Sequence, residues 1–324
     1  MEYIKGGTQK EYYTDADITN TSCLLCDSPK YELIKKEKKV LGVVRCKQCN
    51  LIYINPRLKN PEQVYWGEKK KYEEEGRFIF SGKKAHHRDK NYLEDLKIIE
   101  KHKPSGKFLD IGTNMGTFLR LAKNRKWDLL GIEPSKSLCE IAQEKFGLPI
   151  INDFVENVSF SKNTFDIITM TDVFEHLVNP KTVLQSIRLW LKEDGILFIK
   201  VPNAKFNLLK FYVREKIFKR PSDLTFDSYE HVAHYTNKTL TLMLSHCGFK
   251  PLKMYVTHPV QIPVWHFYVG QYFLYPSPAI LDLKKYLGRE SLYYLSLIEN
   301  FFLRKIGYLS QNIVVIAQKQ EHAI

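Results

Sequence analysis

The 324 residues suffice for one full-sized α/β domain plus a smaller module and exclude anything much larger. An apolar share of 44% is that of a soluble globular protein with a sizeable core. The net charge of +13 points toward acidic partners such as RNA, nucleotide-linked substrates or anionic headgroups, but charge governs encounter and solubility and decides no function alone.

The opening stretch MEYIKGGTQKEYYTDADITN lacks the apolar run of a secretory leader, so the expected location is cytoplasmic. Cysteines in that reducing setting are metal ligands more often than disulfide partners. Four of them form CLLC (Cys23, Cys26) and CKQC (Cys46, Cys49), with nineteen residues between the pairs. Each C-x2-C puts two sulfurs on one tight knuckle, and two knuckles complete a tetrahedron, the pattern of a structural zinc site. A redox C-x-x-C is the competing reading; two copies without a thioredoxin-like βαβ pattern argue against it. Between the knuckles, YELIKKEKKVLGVVR reads as strand, charged turn and strand, so residues 1–62 are expected to be a zinc-ribbon module. Cys139 and Cys247 read as buried helix residues.

Residues 63–104 are charge-rich and helical in texture and are read as a linker or lid. After the breaker KPSG, strands and helices alternate. KFLDIG is a strand, GTFLRLAKNRKW a helix, DLLGIEPS a strand, and SLCEIAQEKFG a helix closed by glycine. PIINDF, TFDIITMTDV and ILFIKVPN are further strands, with the helix PKTVLQSIRLWLKEDG before the last of them. The alternation predicts a doubly wound, mostly parallel Rossmann-like α/β sheet over 105–258, with QNIVVIAQK in 309–324 as its last strand. Such sheets bind ligands beyond the carboxyl ends of their strands. That rule selects Asp110, Gly112, Asn114 and Gly116 after the first strand and Glu133 at the end of the second. Asn152 and Asp153 follow the third, and Thr171 and Asp172 the fourth. Gly112 would let the backbone approach a ligand, and Gly116 would let the following helix pack against its strand. Glu133, about twenty residues beyond the loop, suits hydrogen bonds from two ribose hydroxyls.

The loop FLDIGTNMG lacks the G-x-G-x-x-G of a dinucleotide site. It resembles the D-x-G-x-G-x-G loop of class I S-adenosylmethionine-dependent methyltransferases, with Asn114 at the middle glycine; asparagine tolerates left-handed backbone angles better than other non-glycine residues. CLLC…VVRCKQCNLIYINPR, FLDIGTNMGTFLRLA, LLGIEPS, FDIITMTDVFEHLVNP, DGILFIKVPNA and YEHVAHYTNKTLTLMLSHCGF follow in that order. Together they resemble zinc-ribbon-bearing class I methyltransferases among bacterial sugar- and glycan-modifying enzymes. The resemblance implies an S-adenosylmethionine cofactor held by Asp110, Gly112, Asn114, Gly116, Glu133, Asp153 and Thr171. Glu133 would take the ribose and Asp153 would approach the adenine amino group. It also implies a sugar, nucleotide sugar or glycan precursor as acceptor. The sugar C-methyltransferases with this front end usually carry a large further domain, for which this chain is too short, so C-, O- and N-methylation all stay open.

Methyl transfer from a sulfonium is an in-line displacement in which the protein aligns the acceptor and removes a proton where needed. YEHVAHY offers Tyr229, Glu230, His231 and His234; the resemblance to sugar C-methyltransferases maps an acid–base Glu-His pair onto Glu230 and His231. A structural role for His231, holding a lid, is the alternative. Asp172, Glu175 and His176 in DVFEHL could meet on one helical turn. Some ubiquinone-pathway O-methyltransferases bind magnesium through a similar E-x-x-E-H, while EHL also occurs in relatives without metal there.

KFNLLKFYVREKIFKR carries six basic residues against one acid: either a solvated charged helix or a lid meeting an anionic acceptor such as a sugar nucleotide. Met254–Leu281 contains no Lys, Arg, Asp or Glu, yet Pro259, Pro263, Pro276 and Pro278 disfavour a membrane span. Residues 259–308 are expected to form a helical, aromatic-rich insertion that caps the acceptor pocket, packs a homodimer or touches a membrane surface peripherally. An RNA methyltransferase and a non-catalytic cofactor-binding subunit are the alternatives to a small-molecule methyltransferase. The basic residues are spread out rather than interleaved with aromatics on one module, and no N-P-P-Y signature is present, which disfavours nucleic acid.

Overall fold

The computed structural model describes residues 13–61, 88–219, 225–256, 294–295, 297–299, 301–302 and 307–320. Five short strands come first: β1 (Ile18–Thr19), β2 (Tyr31–Glu37), β3 (Leu41–Cys46), β4 (Ile52–Ile54) and β5 (Arg57–Leu58). β2 and β3 form the expected hairpin, which turns through Lys38 and Lys39 with left-handed backbone angles. The ribbon is no freestanding module. Leu41, Val43, Ile52 and Ile54 pack with Ala204, Phe226 and Tyr229 on one face, while Val44, Cys46 and Tyr53 join the main core with Phe174 and Tyr235. The period-2 alternation of a strand is kept, but both faces are covered by the remainder of the chain.

α1 (Asp89–His102) falls in the stretch read as a linker, and Tyr92, Leu96 and Ile99, at helical spacing, pack against Phe108 and Phe118 beneath the large sheet. β6 (Ser105–Ile111) leads through a single helical turn, α2 (Leu119–Ala122), to β7 (Lys126–Ile132). The helix is therefore much shorter than GTFLRLAKNRKW predicts. Lys126 and Trp127 enter the parallel ladder opposite Ser105 and Gly106, and the buried Trp127 indole donates to the Lys103 carbonyl at 3.0 Å. α3 (Lys136–Phe146) ends at Gly147 in the left-handed conformation, and β8 (Ile150–Ile151), β9 (Phe165–Thr171), α4 (Pro180–Trp190) and β10 (Leu191–Pro202) follow. α5 (Ala204–Phe211) continues as a π-helical turn to Ile217. β11 (Ala233–His234), α6 (Asn237–His246), β12 (Phe249–Val256) and β13 (Asn312–Lys319) complete the chain.

The large sheet has the order β8-β7-β6-β9-β10-β13-β12, parallel through β10, with β13 antiparallel to both its neighbours. This is the doubly wound, mostly parallel sheet expected from the alternation, and QNIVVIAQK is one of its strands. β12 was not anticipated. It is an edge strand broken in register between Pro251 and Lys253, where proline and lysines hide the β pattern. β11 leaves the large domain altogether. It pairs antiparallel with β4, giving a four-stranded sheet β11-β4-β3-β2 that stitches the YEHVAHY segment to the cysteine ribbon.

No helix among the described residues is long and apolar enough to cross a membrane. Most of the 259–308 insertion lies outside the described residues, as does most of the stretch before α1.

Candidate functional site

The strand-to-helix loop after β6 is built on three left-handed residues: Gly112 (φ 71°), Asn114 (φ 55°) and Gly116 (φ 77°). Asparagine at 114 thus occupies the backbone region its side chain tolerates, with its Oδ1 accepting the Met115 amide at 2.6 Å. The two glycines are required by protein packing. A Cβ on Gly112 would lie 2.4 Å from Val173, and one on Gly116 would lie 2.5 Å from Leu148. The Cβ side of Gly112 is therefore filled by the loop after β9. Gly116 accommodates the end of α3 and Leu148 rather than its own helix and strand.

Glu133, buried just beyond β7, is held by that loop. Its Oε2 accepts the Asn114 amide and its Oε1 the Ser135 amide, both at 2.9 Å. Asn152 Nδ2 donates to the Glu133 and Pro134 carbonyls, joining the β8 exit to the same corner. Asp110 lies within β6, 3% exposed, and accepts the Thr169 hydroxyl at 2.6 Å. Burial raises its pKa to about 7, and the Glu133 charge adds to that rise, so the two carboxylates address one corner. Asp153 Oδ1 accepts the Phe154 amide and Asn157 Nδ2, each at 2.7 Å. Thr171 Oγ1, at the end of β9, is buried and has no partner among the described residues.

The loop after β9 meets the YEHVAHY segment. Glu175 (1% exposed), His176 and His231 bring one ligand atom each within 4.8 Å of one another. The His176 and His231 rings meet edge-on at 4.8 Å between centroids, and His234 meets His231 edge-on at 5.7 Å. Asp172, expected to join Glu175 and His176, instead pairs with Arg88 at the start of α1. Glu230 contributes its backbone: its carbonyl takes the His176 Nδ1 bond at 3.0 Å. The carboxylate beside His231 is Glu175's. Burial pushes the His231 pKa well below the usual imidazole range, reinforced by His176, His234 and Lys210. That weakens it as a proton acceptor, contrary to the near-neutral value assumed for a general base. Glu37 is a residue sequence reasoning missed: read as part of a charged turn, it is fully buried and accepts the amides of Thr225, Phe226 and Ser228 at 3.0, 3.1 and 3.2 Å. It anchors the segment that presents His231.

The sequence model of a methyltransferase-domain family matches residues 85–253, just over half the chain. The chain belongs to that family. It is an S-adenosylmethionine-dependent methyltransferase. An uncharacterised protein of Methanocaldococcus jannaschii is 26% identical over 162 residues, 50% of this chain and 73% of that protein. A ubiquinone biosynthesis O-methyltransferase of Actinobacillus pleuropneumoniae is 32% identical over 107 residues, 30% of this chain and 46% of the relative. A demethylmenaquinone methyltransferase of Thermotoga maritima is 32% identical over 113 residues, 33% of this chain and 49% of the relative. The methyltransferase thus spans less than half the length of these two named relatives. A solved S-adenosylmethionine-dependent methyltransferase of Archaeoglobus fulgidus aligns over 72% of this chain and 94% of its own, at 18% identity and a TM-score of 0.47.

The residues of the methyltransferase fit its cofactor. Glu133 is a buried carboxylate of the kind that accepts ribose hydroxyls, with each oxygen also accepting one backbone amide, and the unpartnered Thr171 hydroxyl stands at the end of β9, on the other side of β6. The four thiols of the ribbon also converge. Cys23 and Cys49 sulfurs lie 3.4 Å apart, Cys26 and Cys46 sulfurs 3.5 Å apart, and all four within 4.8 Å. A tetrahedral zinc with bonds of about 2.3 Å sets its sulfurs about 3.8 Å apart. Asp27 and Asn50, each directly after a C-x2-C, both take left-handed angles that fold the knuckle back, and the Gln48 amide donates to the Cys46 sulfur at 3.4 Å. These residues would hold a structural ion with no open position.

Proposed function

We propose that this methyltransferase modifies a small molecule, a sugar, nucleotide sugar or glycan precursor, at the carboxyl edge of the large sheet beside the Glu175–His176–His231 group. The observation that supports this reading is the pairing of β11 with β4, which joins the ribbon to the YEHVAHY segment. The sulfonium cofactor supplies an electrophilic methyl group when bound. The chain's own task is to align the acceptor for in-line attack and to keep water away. α5 and its π turn supply cationic side chains near this edge, and the Lys35–Glu215 ion pair ties them to the ribbon. That cationic surface suits a phosphorylated or nucleotide-linked acceptor. Zinc in the ribbon would act structurally, by fixing the strands on which β11 depends.

A hydroxylated aromatic acceptor of the quinone type is the second reading, favoured by the similarity to the ubiquinone and demethylmenaquinone methyltransferases. Cofactor consumption against nucleotide sugars, glycans, polyprenylated catechols and RNA tests both. Turnover with nucleotide sugars or glycans supports the first reading. Turnover confined to catechols replaces it with the second, and turnover on RNA overturns both.

A further inference from the structure

We propose that Glu175, His176 and His231 form a binding site for a divalent first-row transition ion, separate from the four thiols of the ribbon. Their ligand atoms lie within 4.8 Å of one another, a span that one ion at about 2.0–2.2 Å from each ligand closes with shifts of under about 1 Å. Glu175 is 1% exposed, and neither of its oxygens has a hydrogen-bond partner among the described residues. A carboxyl group buried without any donor is costly, and a cation is what the pocket lacks.

Each imidazole offers a ligand nitrogen. His176 Nδ1 bonds the Glu230 carbonyl at 3.0 Å, so that nitrogen carries the proton and Nε2 presents a lone pair. His231 Nδ1 is buried and has no hydrogen-bond partner among the described residues. A backbone carbonyl fixing the far nitrogen, as that of Glu230 does for His176, is how metal-binding histidines are held. Two imidazoles and one carboxylate favour zinc, iron, cobalt or manganese over magnesium, which prefers oxygen ligands. The ligand set also differs from the one implied by the E-x-x-E-H resemblance, because Asp172 is engaged by Arg88 and His231 arrives from a distant segment.

Three protein ligands leave positions open. Val173, two residues before Glu175, packs against Gly112, so the site adjoins the cofactor loop. An acceptor oxygen or nitrogen could occupy an open position, a role that rests on the proposed methyl transfer; the metal site itself does not.

The test reads bound metal rather than activity. Metal-free full-length protein is titrated with Co2+ and followed by its electronic spectrum and by elemental analysis. Thiolate-bound cobalt shows intense sulfur-to-metal charge-transfer bands, whereas cobalt on two imidazoles and a carboxylate shows only weak ligand-field bands. The expected result is one cobalt per chain beyond the thiolate-bound ion, lost in Glu175→Gln and in His231→Asn while the charge-transfer bands remain. The proposal is overturned if all bound cobalt is thiolate-bound in the wild-type protein. It is equally overturned if both variants, folded by circular dichroism, retain the additional ion. Should Glu175→Gln not fold, the wild-type stoichiometry and His231→Asn decide the matter.

Discussion

The Asn114 amide donates to Glu133 Oε2 at 2.9 Å, so the loop after β6 and the acid at the end of β7 are one unit. The non-glycine residue in the loop uses its left-handed backbone to aim an amide at the carboxylate expected to receive the ribose. Glu133→Ala removes a cofactor acceptor and also leaves the Asn114 and Ser135 amides without this partner. Calorimetry should show at least about tenfold weaker S-adenosylmethionine binding, and denaturant melts a loss of about 1–3 kcal/mol. Unchanged affinity would mean that the acid does not face the cofactor.

Gly112 and Val173 form a second coupled pair, because a Cβ at 112 would sit 2.4 Å from the valine. Gly112→Ala should destabilise the protein by about 1–3 kcal/mol through overpacking and a positive φ. Adding Val173→Ala should recover the steric part and leave the conformational part. Full additivity of the two losses in a double-mutant cycle would refute the contact.

Asp110 gives a pH dependence of definite sign. Its folded-state pKa, raised to about 7 by burial, exceeds the ordinary carboxylate value, so the folded protein retains a proton that the unfolded chain has released. Stability of the cofactor-free protein should therefore fall as pH rises from about 4 to about 7, by at most about 1.4 kcal/mol per unit from this group, and level off above. Asp110→Asn should flatten that component. Identical pH profiles for the two proteins would show that Asp110 ionises normally.

Because β4 carries β11, loss of ordered thiols should be felt at the histidines. Chelation or Cys46→Ser should raise hydrogen exchange in residues 41–58 and also in 229–235, while β6 and β7 stay protected. Confinement of the change to the first stretch would show that the two segments are energetically independent.

Lys200 of β10 is paired with Asp95 of α1 at 2.6 Å, with both side chains almost fully buried. Asp95→Ala leaves the lysine uncompensated and should cost about 3–5 kcal/mol in a denaturant melt. A loss below about 1 kcal/mol would indicate that water reaches the amine.

Local pattern by itself determined the parallel strands, the left-handed loop with asparagine at its centre, and the two cysteine knuckles. Periodicity, glycine positions and C-x2-C spacing act over a few residues, and backbone sterics enforce them wherever the chain goes. Only the tertiary structure decided that α1 packs under the sheet, that β12 extends it, and that β11 leaves it for the ribbon. It also replaced Asp172 with His231 beside Glu175 and His176, and assigned Glu37 to anchoring the segment that presents His231. The pairings of β11, His231 and Glu37 join residues from 55 to 191 positions apart in sequence. They are selected by which buried faces and charges can be satisfied together, a condition that no short window of sequence contains.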